Sequence, residues 1–111
     1  MAKTQGKVNI PKEFKIKGKT WRVEYVWRLK HDDGEDCDGL CRPSDRTILL
    51  KHGLKDEKWI TFLHEYVHAV LYEAHITAHE GGIDGIVEEV VCDAVADALD
   101  NNFTFRWKRQ R

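Results

Sequence analysis

Several things are scarce in this chain. Proline occurs only twice in 111 residues, and 41% of residues are apolar against 33% charged. That balance excludes collagen-like, low-complexity and wholly disordered chains. Cysteine occurs three times, as Cys37, Cys41 and Cys92. So odd and sparse a set argues against a disulfide-stapled secreted module and for a reducing, cytoplasmic setting. No apolar run approaches the roughly 18 residues of a membrane span. The Lys-rich stretch from Met1 to Gly18 lacks the apolar core of a secretory signal, so no membrane contact is expected. Charge of one sign is also missing, since the formal net charge is −1.

The charges are nevertheless segregated. Residues 1–19 carry six Lys against one Glu, and residues 103–111 hold Arg106, Lys108, Arg109 and Arg111, leaving an acidic body between them. Basic N-terminal (1–13) and C-terminal (103–111) tails read as solubilising arms, with weak nucleic-acid contact as their other use. The length suits one domain spanning 1–111, with roughly two-thirds of the unfolded surface buried in a single core.

Phe14 to Leu29 predicts a β-hairpin. Trp21, Val23, Tyr25 and Trp27 alternate with Arg22, Glu24 and Arg28, and Lys17-Gly18-Lys19 stands where a turn belongs. The aromatics read as hairpin and core packing, with Trp59, and not as a base-stacking platform. His31 to Gly39 is an acidic loop without EF-hand spacing, and Cys37 and Cys41 lack the second pair that a structural zinc site requires. A third strand is centred on Thr47-Ile48-Leu49-Leu50. Two helices follow. Asp56 is placed to cap the first, whose apolar positions are Ile60, Leu63, Val67, Val70, Leu71 and Ala74. The second opens near Asp84, turns Val87, Val91, Ala94, Val95, Ala98 and Leu99 inward, and ends near Asn101-Asn102. Phe103, Phe105 and Trp107 alternate like an edge strand. The expected fold is α+β, with about three strands in an antiparallel or mixed sheet packed on two helices.

Within the first helix stands His64-Glu65-Tyr66-Val67-His68, an HExxH sequence. Residues four apart lie one turn apart on one face, so both imidazoles can reach one ion at about 2.0–2.1 Å. Glu65 is offset by about 100°, beside the ion and able to take a proton from its water. With six His and nine Glu in the chain, chance supplies about 0.02–0.03 such patterns. Two histidines on a half-buried face are also costly without a partner.

A catalytic zinc keeps three protein ligands. A metzincin would continue with Gly and His where Leu71 and Ala74 stand, which excludes that class. His75 lies about 10 Å along the helix axis from His68, too far unless the helix breaks first. Glu88 falls on the inward stripe of the second helix with Val91, Cys92, Val95 and Leu99. A carboxylate there needs a cation, which makes Glu88 the first choice. The other options are Glu89 as ligand, with Asp93 orienting a histidine, His79 folding back past the helix end, and Cys92.

Asp38 to Asn102 resembles small phage and prophage zinc metallopeptidases of the minimal zincin type, relatives of the ImmA/IrrE-like and SprT-like groups. The matching residues are Leu40, the strand Thr47-Ile48-Leu49-Leu50, Thr61-Phe62-Leu63-His64-Glu65-Tyr66-Val67-His68-Ala69, and the Glu-Glu helix from Glu88 to Leu99. The resemblance implies a gluzincin-like peptidase in a bacterial host's cytoplasm, with one zinc on His64 and His68 and with Glu65 as general base. A protein or peptide substrate would add to an edge strand at Ile48 to Lys51. Tyr72, His75 and His79 are the candidate oxyanion donors. The alternative is a non-catalytic scaffold of the same fold that binds a host or phage protein.

Overall fold

The computed structural model describes residues 10–78 and 81–108, and within it Lys17 and Gly18 both take positive φ, 51° and 79°. Two successive positive-φ residues make the type I′ turn whose twist matches that of its strands. They join β1 (Glu13–Ile16) to β2 (Lys19–Val26), paired antiparallel from Glu13↔Arg22 to Ile16↔Lys19. The hairpin is therefore present as expected. Only its inner half reaches the core: Trp21 and Val23 are buried, Tyr25 is partly exposed, and Trp27 lies beyond the strand and is 76% exposed.

The expected third strand, β4 (Thr47–Lys51), is buried over its first four residues. It does not form an edge. It pairs parallel with β2 on one side and antiparallel with β3 (Gly39–Arg42) on the other. The sheet is mixed, has four strands and runs β1-β2-β4-β3. The edge expected at Ile48–Lys51 thus belongs to β3, a strand of four residues at the end of the acidic loop.

Helix α1 (Lys58–Glu73) follows a single 3-10 turn over Lys55–Glu57. Asp56 does not cap it: the preceding turn already leads the backbone into the helix, and the cap residue, Glu57, makes no side-chain cap bond. Trp59, Phe62, Leu63 and Ala69 join Phe14, Trp21, Ile48 and Leu50 in the core. At the far end of α1, the buried Glu73 accepts from Trp21 Nε1 at 2.8 Å and from Arg46 Nε at 2.6 Å. Those donors, Arg46 first, hold the Glu73 carboxyl below the ordinary range.

Helix α2 (Gly85–Asn102) opens at Asp84, whose Oδ1 accepts from Ile86 N at 2.8 Å. Its buried stripe differs from the expected one. Cys92 and Ala96 are buried and Val91 and Leu99 half-buried, whereas Val87, Ala94, Val95 and Ala98 are exposed. Small side chains suit a close helix–helix approach, so α2 turns its narrow face to α1. Beyond α2 the expected edge strand is absent. Phe105 instead stacks on Trp59 at 5.7 Å, and Trp107 packs edge-on against Phe62 and Tyr66 at 5.7 and 5.6 Å. Among the described residues no helix is long and apolar enough to cross a membrane.

Candidate metal centre

Helix periodicity brings His64 and His68 to the α2 side of α1. Their Nε2 atoms face one another 3.2 Å apart. Two nitrogens on one tetrahedral zinc at about 2.0–2.1 Å stand about 3.3–3.4 Å apart, so the rings already hold nearly the spacing that an ion requires.

The outer ring nitrogens are both taken. His64 Nδ1 lies 2.7 Å from Asp93 Oδ1, and His68 Nδ1 lies 2.7 Å from Glu88 Oε2. Ionised carboxylates only accept, so each Nδ1 donates. In the neutral rings this leaves both Nε2 lone pairs pointing inward. Into the same space reaches Glu89, with Oε1 3.1 Å from His64 Nε2 and Oε2 2.8 Å from His68 Nε2. His64, His68 and Glu89 thus bring one ligand atom each within 4.8 Å of one another. Three acceptors converging without a donor call for a cation. One divalent ion would serve all three groups. The donor set of two imidazoles and a carboxylate fits zinc.

Glu88, the first choice from sequence for the third ligand, does face inward, and its side chain is only 13% exposed. Its oxygens are engaged elsewhere, Oε2 on His68 Nδ1 and Oε1 on the backbone N–H of Ala78 at 2.9 Å. It holds the ring of His68. Glu89, with a side chain 59% exposed, reaches the ion position from the wet flank of α2. Asp93, 2.7 Å from His64 Nδ1, stands on the same flank. Cys92 is fully buried, and burial together with the Glu88 and Glu89 carboxylates pushes its thiol up to about 12. His79 lies outside the described residues.

Glu65 projects to the β3 side. It is 8% exposed, and burial pushes its carboxyl up, against the pull of His64 and His68. No hydrogen-bond partner holds it among the described residues. Gly39 makes this placement possible: a Cβ there would lie 2.7 Å from Thr61 Cγ2 and 3.1 Å from Glu65 Cγ. Only a residue without a side chain lets the edge strand approach Glu65 so closely. Sequence reasoning passed over Gly39, whose only signal is its place at the start of a strand too short to see.

These groups line a cavity of about 530 Å³ between β3, α1 and α2, whose wall also includes His31, Cys37, Cys41 and Tyr72. Of the candidate oxyanion donors among the described residues, Tyr72 lines that wall and His75 does not. His75 sits past the helix end at φ 61°. The bonds Ile76 N to Leu71 O and His75 N to Tyr72 O around it form a Schellman motif. Its backbone terminates α1.

Comparisons of the chain with family models, with characterised proteins and with solved structures returned no match.

Proposed function

We propose that the protein is a zinc-dependent peptidase of the minimal zincin type, with His64, His68 and Glu89 as ligands and Glu65 as general base. The observation that carries the reading is the convergence of His64 Nε2, His68 Nε2 and the Glu89 carboxylate on one point. Beside it stands Glu65, 8% exposed and without a hydrogen-bond partner among the described residues. Bound there, zinc supplies Lewis acidity, bringing the pKa of a water toward ~7 and polarising a carbonyl. Glu65 takes the proton of the attacking water on a carboxylate oxygen and hands it to the departing amine. Glu88 and Asp93 keep the rings turned inward by accepting from Nδ1, the usual role of a carboxylate behind a metal-bound histidine.

The free edge of β3 runs along the cavity, and a peptide added there as a further strand would present its backbone to Glu65. Tyr72 is the candidate donor to the developing oxyanion. Glu65→Gln tests the assignment. It is expected to retain zinc and fold while turnover of a peptide substrate falls at least 100-fold, in line with the ~10²–10⁴ typical of acid–base groups. Unchanged turnover would refute the role of Glu65.

A second reading has one observation in its favour. Ile86 and Val90 are 77% and 60% exposed on the outer face of α2, an apolar row that a purely catalytic domain does not need. In that reading the zinc site holds a scaffold that binds a host or phage protein, and Glu65→Gln leaves the biological effect intact.

A further inference from the structure

The cleft carries more negative charge than one divalent ion offsets, and Asp38 among its carboxylates has no part in the proposed chemistry. Asp38, Glu65, Glu88, Glu89 and Asp93 line the cavity, and among the described residues no Lys or Arg does. The imbalance is built into the chain: from Trp59 to Phe105 there is no Lys or Arg and there are nine Asp or Glu. Both walls are therefore acidic. On the α2 side, Asp93 is 75% and Glu89 59% exposed at the side chain, and Asp97 is exposed beyond them. On the β3 side, the loop carries Asp32, Asp33, Glu35, Asp36 and Asp38. The cations near this wall offset little of it. Lys30 is taken by Asp36 at 3.1 Å, Lys51 acts on the same carboxylate, and Arg42 at the end of β3 is paired with Asp45 at 2.8 Å. A divalent ion offsets two of the five lining carboxylates. Among these carboxylates, Glu65 is nine-tenths buried, lines the cavity and has no hydrogen-bond partner among the described residues.

We infer that the segment this cleft accepts is a Lys- or Arg-rich peptide, laid along β3 between the acidic loop and the acidic flank of α2. The inference rests on the peptidase reading for the place of the peptide and adds its chemical class. Alternate side chains of a strand added to β3 point into the cavity, where an ammonium or guanidinium meets Asp38 and the carboxylate charge that the proposed ion leaves unbalanced. The acidic walls raise the local concentration of such a segment and speed its capture, in a way that salt weakens. An acidic peptide or a nucleic acid would be repelled by the same walls.

The test uses three fluorescent peptides of one length and scaffold, bearing three Lys/Arg, three Ser or three Glu. Binding is read by anisotropy on zinc-loaded Glu65→Gln at low and high salt, and cleavage is read with the zinc-loaded native chain. The basic peptide is expected to bind at least tenfold more tightly than the acidic one, with most of that gap lost at high salt. Asp38→Asn should weaken basic-peptide binding about threefold to tenfold, as one carboxylate about 4 Å from a cation would, and leave the Ser peptide unmoved. Equal or tighter binding of the acidic peptide, or a gap indifferent to salt, overturns the inference. If all three peptides are cut equally well, the inference falls and the peptidase reading stands. If the basic peptide binds selectively and none is cut, the peptidase reading falls and the cationic ligand stands. Binding of no peptide overturns both.

Discussion

Replacing Glu89 with alanine removes the one carboxylate that reaches both inward nitrogens, 3.1 Å from His64 Nε2 and 2.8 Å from His68 Nε2. Zinc binding in four-ligand protein sites is worth about 10–16 kcal/mol. One ligand then carries about 2.5–4 kcal/mol, a change of about 70- to 900-fold in affinity. Glu88→Ala removes an acceptor from His68 Nδ1, where it holds the ring at 2.7 Å, and such partners are worth about 10–100-fold. The two losses also differ in kind. Glu88 acts through His68, so its effect should vanish in a His68→Ala background, whereas that of Glu89 should persist in part. Competition with a chromophoric zinc chelator measures the three single and two double variants, and far-UV circular dichroism checks that each is folded. A larger loss for Glu88→Ala than for Glu89→Ala, or a Glu88 effect undiminished without His68, would refute the assignment of the third ligand.

Other outcomes follow from the packing. Gly39→Ala forces a methyl to within 2.7 Å of Thr61 Cγ2. It should cost about 1–3 kcal/mol in urea unfolding, with Thr61→Ser restoring part of that by removing the obstructing methyl. Glu73→Gln should destabilise by about 1–3 kcal/mol at neutral pH, since Trp21 Nε1 and Arg46 lose a charged acceptor. Because the Glu73 carboxyl is held down in the fold, its contribution is complete above the ordinary glutamate value of about 4.3 and is lost as pH falls below it. Urea midpoints of wild type and Glu73→Gln should therefore converge in acid; parallel curves would contradict this. Trp107 Nε1 is buried without a partner among the described residues. Trp107→Phe should then leave the thermal midpoint unchanged or raise it, while Trp107→Ala lowers it.

What could be read from the chain beforehand was what local geometry decides. The hairpin follows from Lys17-Gly18 and the alternation around Trp21, and the relation of His64, Glu65 and His68 follows from 3.6 residues per turn. The features that escaped depend on how distant segments meet. β3 is four residues of Gly39-Leu40-Cys41-Arg42 whose extended form comes from pairing with β4, so no internal pattern announces it. Alternation at Phe103, Phe105 and Trp107 resembled a strand, but those rings are spaced to dock on Trp59, Phe62 and Tyr66. On α2, hydrophobicity pointed to Val87, Val95 and Ala98, whereas close approach to α1 selected Cys92 and Ala96. The choice between Glu88 and Glu89 turned on the same crossing: neighbours about 100° apart flank the site, and the more buried one is engaged with Nδ1 of a ring. Burial marked the carboxylate that orients. Reach marked the one that can bind.

The account rests on a single ion held between two imidazoles and Glu89, and a crystal structure of the zinc-loaded chain with data at the zinc absorption edge tests that directly. The expected anomalous peak lies about 2.0–2.1 Å from Nε2 of both His64 and His68, and about 2.0–2.2 Å from a Glu89 oxygen. Glu88 and Asp93 should still be seated on the outer ring nitrogens. A peak held instead by Cys37 and Cys41, or rings turned away from each other with no peak between them, would contradict it.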